Sequence, residues 1–140
     1  HIWLEDESQL IGKVRIPDPL FKQMRTTNVI KLELKKEIRV DRLLKEYAGF
    51  DTKPLIGSII NISRRLGGLD TRKAIEAVEK DDFRTAIDIV LSYYDKTYTY
   101  GLEKRKDQTV LSLKLKEDNP KRSAENVIDV AMNIGEKERK

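Results

Sequence analysis

Phe83, Ala86, Ile87, Val90, Leu91 and Tyr94 fall at i, i+3, i+4, i+7, i+8 and i+11, a single apolar stripe at the helical period. A stripe this regular has one folded outcome, an amphipathic helix that must bury that side against a neighbour. The preceding residues supply neighbours. From Glu37 to Ala48, Val40, Leu43, Leu44 and Tyr47 also sit at helical spacing, and Gly49 stops the run. Pro54 opens a more apolar helix through Leu55, Ile56, Ile59, Ile60, Ile62 and Leu66, ended by Gly67-Gly68. Two further helices are predicted, one capped near Asp70 and the striped one near Asp81.

The remaining chain reads as strands set between helices. Ile2-Trp3-Leu4-Glu5 has the look of a short buried strand. Val29 to Leu34 alternates Ile30, Leu32 and Leu34 against Lys31 and Glu33. Thr109 to Leu115 sets Leu111, Leu113 and Leu115 against Ser112 and Lys114. Asp18 is expected to cap a helix starting at Pro19, with Leu20, Phe21 and Met24 inward. Gly101 to Gln108 reads as a charged connection. Asn119 and Pro120 start a last helix bearing Val127, Ile128, Ala131 and Ile134. Strands separated by helices favour a mostly parallel sheet. The expected organisation is one α/β domain over 1–140: a sheet part at 1–50, a helical insertion at 54–100, and a closing strand and helix at 108–135.

Composition narrows the function classes. The 140 residues are 39% apolar, enough for a core, and 37% charged, above the usual ~25%. The net charge of +4 is clustered at Arg64-Arg65, Lys104-Arg105-Lys106 and Lys121-Arg122. Such clusters suit phosphates and RNA, or simply a solvated face. No cysteine is present, so disulfides, thiolate metal sites and a cysteine nucleophile are excluded within these residues. The single histidine, His1, makes a histidine metal site unexpected. No apolar run nears the ~18 residues of a membrane span, and a cytoplasmic protein is expected. The start at His1 reads as the edge of a fragment.

Four groups of residues suggest chemistry. The first strand runs into Glu5, Asp6, Glu7 and Ser8, at the strand end where α/β sheets bind ligands. Carboxylates there hold magnesium or orient an attacking group beside phosphates, or merely begin a polar loop. Arg39, on the first turn after the second strand, could face a phosphate or pair with a nearby acid. Arg64 and Arg65 could contact RNA or offset the dipole of their helix. Tyr93-Tyr94-Asp95-Lys96-Thr97-Tyr98 could stack on bases, although Tyr94 also completes the apolar stripe.

Taken together, Ile2-Trp3-Leu4-Glu5-Asp6-Glu7-Ser8 with Ile11-Gly12 and Ile16-Pro17, Arg64-Arg65-Leu66-Gly67, and Tyr93 to Tyr98 resemble the tRNA 2-selenouridine synthase family. The resemblance covers roughly residues 2 to 101 and continues only as a strand-and-helix pattern beyond Gly101. It implies a partial P-loop NTPase-like α/β fold with a helical insertion. The family joins this domain to a rhodanese-like domain with a reactive cysteine. It replaces sulfur by selenium in wobble 2-thiouridine through a geranylated intermediate. By resemblance, Glu5, Asp6, Glu7 and Ser8 edge the catalytic phosphate site and Arg39 faces it. Arg64, Arg65, Tyr94, Lys96 and Tyr98 would hold tRNA. Selenophosphate and geranyl diphosphate are implied for the full enzyme, with no cofactor or metal within this chain.

The sequence also departs from that pattern. It contains no GxxxxGK[ST] loop and no cysteine, and Gln9 stands where the family commonly has a basic residue. The phosphate loop and rhodanese-like segment are therefore expected in cis or on another subunit, with the chain alone inactive. A non-catalytic RNA-binding or scaffolding subunit is the competing reading, and a nucleotide kinase relative is a third. With the loop's strand missing, the Ile2–Glu5 strand is expected to have an open edge near Trp3, predicting a homodimer through it.

Overall fold

The computed structural model describes residues 2–6, 8–47, 49–105 and 110–137, with side chains described through Asn133 in the last helix. Glu7, Ala48, Lys106 and Thr109 therefore lie outside the described residues, as does the side chain of Ile134. The chain is a mixed α/β structure, mostly helical. Its elements are β1 (Leu10–Ile11), β2 (Val14–Arg15), α1 (Asp18–Arg25), β3 (Val29–Glu33), α2 (Lys36–Tyr47), α3 (Thr52–Leu66), α4 (Gly68–Glu79), α5 (Phe83–Glu103), β4 (Val110–Lys114) and α6 (Pro120–Lys137).

The parallel sheet is smaller than the sequence suggests. β3 and β4 pair in parallel, with Val29 opposite Val110 and Glu33 opposite Lys114. Among the described residues nothing joins either outer edge. The expected strand at Ile2–Glu5 is not formed: residues 2–6 have no regular structure, and Trp3 is 59% exposed. An apolar run becomes a strand only when it pairs into a ladder, and these residues pair with none of the described strands. Instead, β1 and β2 form a tight antiparallel hairpin, which the sequence reading missed. Gly12 turns it at φ 59°.

The core is a three-helix cluster. Ile59 and Leu66 of α3, Ala74, Ala77 and Val78 of α4, and Ala86 of α5 are buried together. Small residues on α4 let its neighbours approach closely. Gly67 joins α3 to α4 at φ 92° and ψ 150°, a backbone setting that only glycine adopts freely.

Several helix ends differ from expectation. α4 begins at Gly68 and has no side-chain cap, so Asp70 lies inside its first turn. α5 is capped by Asp82, whose carboxylate accepts from the Thr85 amide; Asp81 takes φ 58° in the turn. Asp18 lies inside α1, and its carboxylate accepts from Gln9 Nε2 and Arg15 Nη2, tying the hairpin to the helix. Asn119 does cap α6, accepting from the Arg122 amide at 3.1 Å.

α5 is also longer than the stripe implied, running on to Glu103 in place of a loop from Gly101. Contacts four residues apart carry it there. Thr97 Oγ1 donates to the Tyr93 carbonyl, Tyr94 meets Tyr98, and Lys104 Nζ lies 4.2 Å over the Tyr100 ring. Its buried side is rotated from the expected stripe. Phe83, Ala86, Ile89, Val90 and Tyr93 face the core, whereas Tyr94 is 39% exposed. The rotation follows from two-sided packing, because α5 lies between α4 and α2.

Candidate functional site

The acidic run after Ile2–Leu4 is held in place by cations. The Asp6 carboxylate takes the Arg105 guanidinium at the end of α5 and Arg25 Nη1, at 3.3 Å, at the end of α1. The Arg105 side chain is only 4% exposed, and Arg25 lies 4.6 Å over the Phe21 ring. A buried guanidinium needs such a carboxylate, so this contact fixes the N-terminal segment against two helix ends. Glu5 is exposed, and Ser8 Oγ donates to the Leu10 carbonyl at 2.8 Å, turning the chain into the hairpin. Asp6 is thus the member of this run held by Arg25 and Arg105.

Arg39 sits in the first turns of α2 with its fork on α5. Nη1 and Nη2 each donate 2.7 Å bonds to the two Asp95 oxygens. Those bonds hold the Asp95 carboxyl below its ordinary value, against the opposing effect of partial burial. The same bonds raise Arg39. Lys36 extends the contact, donating to Ser92 Oγ at 2.7 Å and pairing with Asp88 at 2.6 Å; Arg84 pairs with Asp41. Positions 84, 88, 92 and 95 form one polar face of α5, nearly opposite its core face.

The RNA-facing candidates divide into two groups. Arg64 and Arg65 are exposed in the last turn of α3. Tyr94 and Tyr98 stand side by side on α5, ring centroids 6.4 Å apart. Lys96 does not join them: two residues along a helix is a rotation of about 200°, which puts it on the far side from Tyr94. It shares that side with Tyr100 and Lys104. Sequence reasoning missed Arg25, Asp95, Arg105 and the Tyr100–Lys104 pair as partners. Asp95 lay inside the tyrosine cluster, and Lys104 and Arg105 inside the basic run Lys104-Arg105-Lys106, so these positions carried a signal but their partners did not.

An apolar hollow of about 510 Å³ opens between Trp3, Leu32, Leu34, Leu115, Val127 and Ile128. The Arg42–Asp118 ion pair, 3.2 Å, stands at its rim. Leu32 is 49% exposed because the strand face toward α6 is only loosely covered. Among the described residues no group of three His, Cys, Asp or Glu side chains could hold a metal ion, and no helix is long and apolar enough to cross a membrane.

The geometry defines a mostly helical α/β domain with a small parallel sheet, its N-terminal acidic segment clamped by arginines. A family described as the tRNA 2-selenouridine synthase AAA domain matches residues 1–120. The chain belongs to the tRNA 2-selenouridine synthase family. Curated proteins named tRNA 2-selenouridine synthase are similar to it. That of Shewanella frigidimarina is 30% identical across 79% of this chain and 38% of the relative. That of Shewanella piezotolerans is 34% identical across 77% and 38%, and that of Bordetella petrii 32% across 78% and 37%. The chain thus spans about two fifths of the length of these relatives. No solved structure matches it.

Proposed function

We propose that this chain is the P-loop-like part of a tRNA-modifying transferase that replaces sulfur by selenium in wobble 2-thiouridine through a geranylated intermediate. Selenophosphate and geranyl diphosphate are the small substrates of that whole enzyme, which works in the cytoplasm. The phosphate loop and the reactive cysteine come from segments outside these 140 residues, in cis or on a partner subunit. The family match across residues 1–120 carries this reading.

The reading gives particular residues roles. Asp6, fixed by Arg25 and Arg105, sets the position of the acidic segment at the edge of the phosphate site. Arg39 braces α2 against α5, and if it acts on a phosphate it must first exchange Asp95 for that anion. Arg64, Arg65 and Lys96 meet the tRNA backbone in this reading.

Mass spectrometry of nucleosides from tRNA treated with the full-length protein, selenophosphate and geranyl diphosphate tests the reading. Conversion of 2-thiouridine is expected with the longer protein and none with the 140-residue chain, which should also leave ATP and GTP intact. Asp6→Asn in the longer protein should lower conversion by up to ~10²-fold through misplacement of the acidic segment. A full-length protein that binds tRNA without converting it would instead establish a non-catalytic RNA-binding or scaffolding subunit.

A further inference from the structure

β3 and β4 run parallel, so Glu33 and Lys114 both stand at the carboxyl edge of the sheet, where α/β proteins take their ligands. Beyond that edge β4 turns through residues 115–119 into α6, and a crevice of about 210 Å³ opens there. Lys114, Lys116, Glu117, Asn119, Arg122 and Ser123 line it. Its charged groups are three cations against one carboxylate, a surplus of two positive charges. The adjoining apolar hollow shares Leu115, Glu117 and Ser123 with it, yet carries one cation against two carboxylates. The positive charge is thus particular to the crevice.

Local acids do not absorb that charge. Glu33, opposite Lys114 in the ladder, pairs with Lys31 at 3.1 Å and accepts from Ser112 at 3.0 Å. Asp118 is held by Arg42. Glu117 takes Arg122 at 2.9 Å, but those side chains are 52% and 69% exposed, so water already weakens the pair. Lys114 and Lys116 are left without an ion pair among the described residues. The first turn of α6 contributes little, because Asn119 accepts the Arg122 amide on its side chain and the Ser123 amide on its carbonyl. The donors left for a ligand are therefore side chains: two ammonium groups, a guanidinium, the Ser123 hydroxyl and Asn119 Nδ2.

A phosphate monoester dianion offers such a set three terminal oxygens and two charges, where a carboxylate offers two oxygens and one charge. The crevice is smaller than the ~300–1,000 Å³ of sites for drug-sized ligands, so the group carrying the phosphate is small. We infer that the turn between β4 and α6 binds the terminal phosphate of a small molecule, with Lys114, Lys116 and Arg122 on its oxygens. Glu117 competes with that phosphate for Arg122. The site uses neither Arg39 nor the acidic N-terminal segment, and it does not rest on the proposed function.

The test is titration of this chain with methyl phosphate and with dimethyl phosphate at constant ionic strength, read from the amide shifts of isotope-labelled protein. Methyl phosphate should move the amides of Lys116, Arg122 and Ser123 saturably. Dimethyl phosphate, the singly charged linkage of an RNA backbone, should bind about 10-fold more weakly. Arg122→Gln should weaken methyl phosphate by about 10-fold, and Lys114→Ala/Lys116→Ala by at least as much. Glu117→Gln should tighten it about 2- to 5-fold by releasing Arg122. Lys73→Ala, an exposed lysine on α4, should leave it unchanged. Shifts that do not saturate, equal binding of the two esters, or unchanged affinity in the Arg122 and double-lysine variants overturn the site. The same spectra report whether each variant is folded, and Glu117→Gln removes no donor, so weaker binding by that folded variant overturns it too. Selenium transfer is not measured, so failure here leaves the proposed function standing.

Discussion

Breaking the Arg39–Asp95 pair should loosen α2 from α5 by a calculable amount. Two charge-assisted hydrogen bonds of 2.7 Å join the groups in a planar fork. Fully buried, such a pair would be worth several kcal/mol to break, but the side chains are 31% and 43% exposed, so solvent screening reduces that. We expect Arg39→Ala and Asp95→Ala each to cost about 1.5 kcal/mol and the double variant about 2, a coupling of ~1 kcal/mol. For a chain of this length that is roughly 3–5 °C of melting temperature per single variant. Urea denaturation of the four proteins measures the cycle. The pH dependence has a definite sign: because the folded Asp95 carboxyl is depressed, its contribution is full above the unfolded value of about 3.9. It is lost as pH falls below that, through the folded value. Additive single variants, or a coupling that persists after acidification through both values, would refute the pairing as the brace between these helices.

Two other outcomes are expected. Gly67→Ala should destabilise the chain by ~1–3 kcal/mol in urea, because its φ of 92° strains any L-residue, although no atom lies within 4 Å of the added carbon; Gly68→Ala, already helical, should be near neutral. Trp3 is exposed beside the apolar hollow, so we expect concentration-dependent association through the N-terminal segment, with Trp3 emission shifting red on dilution; a chain monomeric by light scattering at tens of micromolar, with constant emission, would exclude it.

Much of the helical part was legible from sequence because burial imposes a period. α3 from Thr52 to Leu66 and α2 from Lys36 to Tyr47 fall within a residue or two of the pattern, and Gly49 and Gly67 both take positive φ at their ends. β4 likewise places Leu111 and Leu113 inward of Ser112 and Lys114. Misreadings occurred where a residue's partner lies far along the chain. Ile2–Glu5 has strand composition, but composition does not supply a neighbouring strand. The stripe on α5 gave the helix and misplaced its buried side, because periodicity cannot show that Asp88, Ser92 and Asp95 face Lys36 and Arg39. The site was legible as residue types. The Asp6–Arg105 pairing was not, since the two lie 99 positions apart in the sequence.

The pairing of β3 with β4 spans the entire helical excursion. In kinetic terms, the two strands cannot search for each other cheaply until the intervening chain has shortened itself. α3, α4 and α5 do this with local contacts, which form on far shorter timescales than long-range strand pairing. The helical cluster is thus the scaffold on which the sheet closes. Substitutions such as those at Ala74 or Ala86 should slow folding, whereas a weakened β4 should chiefly hasten unfolding.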